Sequence, residues 1–145
     1  MRYLVLVSHG TFAPGLHSVL RMLGGERADV LSASLEDGMS ADAYVARLKE
    51  VLAALTADDE VVLLGDIIGG SPLTNALNVL AEQGLLAHAR AFGGMNLPMA
   101  MTALMGLATQ DLDALAQSML TEAHDGAREL QIATDDADDD EEDDI

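Results

Sequence analysis

The chain has 145 residues, with 25 Asp and Glu against 7 Lys and Arg, no Cys, no Trp, and only two Tyr and two Phe among an apolar half. That length suits one domain able to bury a core without disulfides or a structural metal, and the missing cysteines exclude thiolate chemistry. A formal charge of −18 argues against a nucleic-acid partner, and the apolar runs are too short for a signal peptide or a membrane span, so a soluble, cytoplasmic protein is expected.

Tyr3 to Val7 is an unbroken apolar run, the pattern of a strand covered on both faces. Leu16, Val19, Leu20 and Leu23 then recur at helical spacing and stop at Gly24-Gly25. Val30 to Leu35 reads as a second strand, and Ser40 as the N-cap of a helix carrying Tyr44, Leu48, Val51, Leu52 and Leu55 on its apolar face. A third strand, Val61 to Leu64, ends in Gly65-Asp66. The loop Ile67 to Gly70 leads into Ser71-Pro72, which reads as an N-cap followed by proline at the first helical position, and Leu73, Leu77 and Leu80 line that helix up to Gly84.

Leu85 to Phe92 reads as a fourth strand, followed by Gly93-Gly94 and a helix beginning between Asn96 and Pro98 with Met101, Leu104 and Met105 on one face. Leu112, Leu115, Met119, Leu120 and Ala123 mark a fifth helix, and Arg128 to Ala133 is expected to form a short edge strand. Strands alternating with helices specify a doubly wound α/β fold, with four parallel strands plus the C-terminal edge strand and helices on both faces. Nine of the acids crowd positions 135 to 144, leaving 16 acids against 7 bases elsewhere. The reading is a folded body over 1–133 and an acidic, solubilising, disordered tail over 134–145.

In an open parallel sheet ligands gather beyond the carboxyl ends of the strands. There the sequence puts Ser8-His9-Gly10-Thr11, Asp66 with Gly69-Gly70-Ser71, and Gly93-Gly94-Met95-Asn96. His9 is the candidate reactive group, because imidazole titrates near neutrality and Gly10 lets a ligand approach the backbone. Asp66 is a candidate partner that would accept one ring N–H, fix the tautomer and leave the other nitrogen as nucleophile. Gly69, Gly70 and Ser71 offer backbone donors and a hydroxyl at a helix N-terminus, an anion site that lacks the spacing and the lysine of a nucleotide-binding P-loop. His17, His88 and His124 are read as structural or surface residues, and their spacing from His9 matches no zinc motif. The eight Met are read as core filler, with Met95, Met99 and Met101 alternatively rimming a pocket.

Three segments, VSHGTFA at 7–13, GDIIGGSPLTNA at 65–76 and GGMNLPM at 93–99, resemble the IIA domain of the mannose-type class of the bacterial phosphoenolpyruvate-dependent sugar phosphotransferase system. The resemblance covers residues 1 to about 130. It implies a homodimer whose C-terminal strand, here near Arg128 to Ala133, exchanges between subunits. It further implies that His9 receives a phosphoryl group from the phosphocarrier HPr and passes it to a IIB component, with Asp66 bonded to the ring and Ser71 near the phosphoryl group. No cofactor and no metal are implied, and contact with the membrane is only indirect, through IIC and IID. The chain departs from the pattern at Ile67 and Ile68, where some members carry an aromatic residue, and it does not run on into a IIB domain, so a separate IIB polypeptide is expected.

Three other readings stay open on the residues alone. A histidine phosphatase or mutase also opens with a strand and His-Gly-Thr, but it carries Arg before the histidine, where this chain has Ser8. A small metal chelatase would need His88 or Glu82 close to His9. A regulatory interaction domain would use His9 as a phosphosite without a transport role.

Overall fold

The computed structural model describes residues 1–134; the acidic run 135–145 lies outside the described residues, and with it nearly all of the expected tail. The elements follow in the order β1 (Arg2–His9), α1 (Phe12–Gly24), β2 (Val30–Leu35), α2 (Ala41–Val51), β3 (Glu60–Gly65), α3 (Ser71–Glu82), β4 (Ala89–Phe92), α4 (Leu97–Gly106) and α5 (Leu112–Asp125). The strands form one parallel sheet in the order β2-β1-β3-β4. The chain therefore winds outward from β1 to β2, then crosses back to β3, and the direction of winding switches between β1 and β3. Their carboxyl ends diverge there into a crevice.

Alternation along the central strands divides the core. Leu4 and Leu6 of β1 with Val62 and Leu64 of β3 pack against α1, α4 and α5, while Val5, Val7, Val61 and Leu63 pack against α2 and α3. Strands buried on both faces need apolar residues at every position, which is why neither shows polar alternation. Ser40, Asn96 and Asp111 cap their helices by accepting the N–H groups of Ala43, Met99 and Ala114. Among the described residues no helix is long and apolar enough to cross a membrane.

Several boundaries differ from expectation. β1 continues through Ser8 and His9, because both keep their parallel pairing with Ser34 and Leu35 of β2. The fourth strand is only Ala89–Phe92: the N–H of Leu85 returns to Leu80 and that of His88 to Leu85, so residues 86–88 form a short 3₁₀ turn. The cap of α3 is Gly70, with Ser71 as the first helical residue and Pro72 as the second. Met105 stands 76% exposed, so the apolar face of α4 is instead Met99, Ala100, Ala103 and Leu104. The expected edge strand is not seen in the single chain: among the described residues Arg128 to Ala133 is exposed, without regular structure, and pairs with no strand.

One buried polar contact joins the helices below the crevice. Tyr44 of α2 is fully buried and its hydroxyl donates to the carbonyl of Pro72 in the first turn of α3 at 2.8 Å. Burial, followed by the nearby charge of Asp66, pushes the phenol above its ordinary pKa and keeps it a donor. Tyr44→Phe is expected to lower the unfolding free energy in urea by about 1 kcal/mol; an unchanged midpoint would show that the bond contributes nothing.

Candidate functional site

His9 is the last residue of β1 and Asp66 the first after β3, so the switch in winding brings them together although 57 residues separate them. Asp66 Oδ2 lies 2.9 Å from His9 Nδ1 and also accepts the backbone N–H of His9 at 2.9 Å. The other oxygen, Oδ1, accepts the N–H of Ile67 at 2.9 Å. An oxygen that already accepts one N–H is an acceptor toward the ring as well. Nδ1 therefore carries the proton, and Nε2 keeps its lone pair. Among the described residues Nε2 has no hydrogen-bond partner, and the imidazole is 47% exposed while the carboxylate is only 12% exposed.

Burial of Asp66 opposes its ionisation, but the backbone N–H of His9, the His9 ring and the N–H of Ile67 together outweigh it and hold the carboxyl below its usual value. Asp66 is thus a fixed anion at neutral pH.

The backbone around the pair is held by contacts that the sequence reading did not anticipate. Ser8 is fully buried; its Oγ donates to the carbonyl of His9 at 2.9 Å and accepts the N–H of Ala13, in the first turn of α1, at 2.7 Å. It replaces the cap that Thr11 does not supply, and clamps the end of β1 to the start of α1. Its only signal in the sequence was a small polar residue closing an apolar strand. The loops after β3 and β4 are tied together where Gly94 and Met95 donate to the carbonyls of Asp66 and Gly65.

Gly10 turns the chain out of β1 at φ +58°, and its N–H returns to Leu35. Gly69 has φ +87°, a conformation that an L side chain rarely adopts. Gly70 lies against the imidazole: a Cβ there would stand 3.0 Å from His9 Cε1. Ser71 is exposed at the head of α3 and its Oγ accepts from the Asn75 amide at 3.0 Å. Beside them Ile67 and Ile68 are 55% and 77% exposed, with Ile68 packed over Gly93. Met95 and Met99 belong to the core.

The remaining histidines do not join this site. His17 of α1 meets Ser32 Oγ at 2.7 Å; burial, then Arg21, hold its pKa below the ordinary value, with Glu26 working against them. His88 precedes β4 and Glu82 closes α3, so both lie at the opposite, amino-terminal edge of the sheet from His9. That separation removes the set of ligands a chelatase would need, and among the described residues no three His, Asp or Glu side chains form a metal-sized cluster. Six of the seven basic side chains pair with acids elsewhere, so the cationic clamp of a histidine phosphatase is missing from the crevice among the described residues.

Comparison with known proteins bears on the fold and the family. The family model of the phosphotransferase system fructose IIA component matches residues 3–120. The mannose-specific EIIAB component of Escherichia coli K12 is 29% identical over 102 residues, 70% of this chain and 31% of that protein. The chain therefore spans about a third of the length of the curated relatives it matches. Among solved structures, the mannose/sorbose-specific IIA subunit from Enterococcus faecalis aligns with a TM-score of 0.77 at 23% identity, covering 92% of this chain and 97% of its own. EIIA from Streptococcus agalactiae aligns with a TM-score of 0.74 at 24% identity, over 89% and 97%. The fold is that of a mannose-type IIA protein, and the chain belongs to the IIA family of the phosphotransferase system, as the three segments suggested.

Because the folded-state pKa of Asp66 is depressed, its contribution to stability is present above the unfolded carboxyl value and is lost as pH falls through the folded one. Asp66→Asn is therefore expected to be less stable than wild type in urea at neutral pH, with the gap closing below about pH 4. A gap that stays constant into acid would mean that the charge of Asp66 is not what its hydrogen bonds stabilise.

Proposed function

We propose that the chain is a phosphohistidine relay, a metal-independent phosphotransferase in the cytoplasm that takes a phosphoryl group from HPr onto His9 and delivers it to a IIB component for sugar uptake. The observation that carries the reading is the shared Asp66 Oδ2, which fixes the Nδ1 proton and leaves Nε2 free. The Nε2 lone pair attacks phosphorus in line. The new N–P bond forms as the one in phosphorylated HPr breaks, and that electron pair returns to the carrier's imidazole. The Nδ1 proton stays with His9, where the anion of Asp66 offsets the positive charge that the ring acquires. The backbone N–H of Gly69 and the Ser71 hydroxyl supply donors for the equatorial oxygens, while the N–H groups of Gly10 and Gly70, spent on the carbonyls of Leu35 and Ile67, hold the turns that shape the phosphoryl site. Transfer to IIB reverses these steps on a new acceptor, and IIC and IID supply the link to the membrane.

In this reading residues 1–133 are the phosphotransfer domain and 134–145 a solubilising tail. With phosphoenolpyruvate, enzyme I and HPr, wild type should acquire an acid-labile, base-stable phosphoryl group and give it up when IIB is added. His9→Ala should acquire none, and Asp66→Asn should fold but transfer roughly 100-fold more slowly. Undiminished labelling of His9→Ala would remove His9 from the reaction, and retention of label in the presence of IIB would favour a regulatory phosphosite.

The relay is also proposed to work as a homodimer in which residues 128–133 pair with the sheet of a second copy. Support comes from alternating Leu130 and Ile132, 76% and 82% exposed in the single chain, and from the edge position of β4, which among the described residues has only β3 beside it. Replacing both Leu130 and Ile132 by Lys should shift sedimentation from dimer to monomer; an unchanged dimer would place the interface elsewhere.

A further inference from the structure

Ser71 opens α3 and Asn75 follows it by four residues, so one turn of helix sets the two side chains in register, the longer one reaching back toward the N-terminus. The Asn75 amide Nδ2 donates to Ser71 Oγ at 3.0 Å. A serine inside a helix ordinarily turns its hydroxyl proton back to a carbonyl three or four residues earlier. Ser71, as the first helical residue, has no such turn behind it, and the carbonyl of Ile67 already accepts the N–H of Gly70. Among the described residues its O–H donates to no protein acceptor. Asn75 occupies one of the hydroxyl's two acceptor positions, so the proton turns away from the amide and is left for whatever stands before the helix.

We infer that Asn75 is a positioning residue that biases Ser71 toward donating into the crevice beside His9. This inference rests on the relay reading and deepens it. A phosphoryl group presents only acceptor oxygens, so a hydroxyl free to rotate would meet them part of the time with a lone pair and repel them. Donation from Asn75 removes the rotamer in which the proton points at the amide, which raises the share in which it faces the crevice, and polarises the O–H bond in the direction that strengthens donation. Asn75 touches neither the phosphoryl group nor the imidazole; it acts through Ser71. Gly70 is packed on the ring and Ser71 is its neighbour in the chain, which sets the donor on the side of the crevice that holds His9.

The test is a double-mutant cycle on full-length protein, following the rate of His9 phosphorylation from phosphorylated HPr. Asn75→Leu should keep its thermal midpoint within a few degrees of wild type, lower the maximal transfer rate roughly 3- to 10-fold, and leave the half-saturating HPr concentration unchanged. Ser71→Ala should be slower still, and adding Asn75→Leu to it should cost nothing further, since the hydroxyl to be oriented is gone. Full-speed transfer by Asn75→Leu, or the same fold loss in both backgrounds, would overturn the inference while leaving the relay intact. Failure of wild type to acquire any phosphoryl group would overturn the relay reading and this inference with it.

Discussion

Two N–H groups of one residue converge on one carboxylate oxygen: the backbone and the imidazole of His9 both reach Asp66 Oδ2. A side chain usually holds a histidine by its ring alone, which leaves the peptide behind it free to pivot. Here the same oxygen fixes the end of β1 and the ring that extends from it, so the tautomer, the direction of Nε2 and the course of the strand are set together. The third N–H, from Ile67, keeps the carboxylate from rotating. The chemical consequence is an imidazole whose nucleophilic nitrogen is the outward one, beside a permanent negative charge that offsets any positive charge the ring acquires.

The fold makes that convergence possible through its order of strands. Had β2 and β3 followed one another on the same side of β1, the end of β1 would face a continuing row of crossover connections and no crevice would open. With β1 and β3 adjacent and wound in opposite directions, their helices α1 and α3 leave on opposite faces of the sheet. The two helix N-termini then flank the histidine. Ser8 clamps one of them to the strand end, and the hydroxyl of Tyr44 braces the first turn of the other. Both hydroxyls are buried and have their partners, so the crevice is built on polar contacts that would be costly to break.

The relation between sequence and structure follows from what each signal reports. Apolar continuity in Tyr3 to Val7 and Val61 to Leu64 revealed the two central strands, because a strand covered on both faces has no other pattern available. His9 and Asp66 were legible as strand-end residues once those strands were recognised. Whether they met depended on strand order, which no local pattern encodes. Ser71 read as a cap because serine before proline is the common arrangement, yet the extended backbone fell one residue earlier, at Gly70. Leu85 to Phe92 read as one strand because the periodicity of an apolar run cannot register that its backbone bonds are spent on a local turn. Arg128 to Ala133 has the alternation of a strand, but alternation needs a partner, and the described residues provide none. Tyr44 was legible only as part of an apolar face, Ser8 only as a strand-end residue and Asn75 only within a matching segment, because their importance lies in hydrogen bonds to backbone or to a neighbouring side chain, for which composition carries no mark.

An acidic body pairs most of its few cations with acids away from the crevice, so the nearest fixed charge to the imidazole is the carboxylate that orients it. The central claim is the protonation of one ring, and nitrogen-15 NMR of the His9 imidazole reads it directly. At a pH where the ring is neutral, the expected spectrum shows a proton on Nδ1 and a bare Nε2, with the nitrogen-bonded phosphoryl group on Nε2 after labelling through HPr. A neutral ring protonated on Nε2, or a phosphoryl group found on Nδ1, would contradict it.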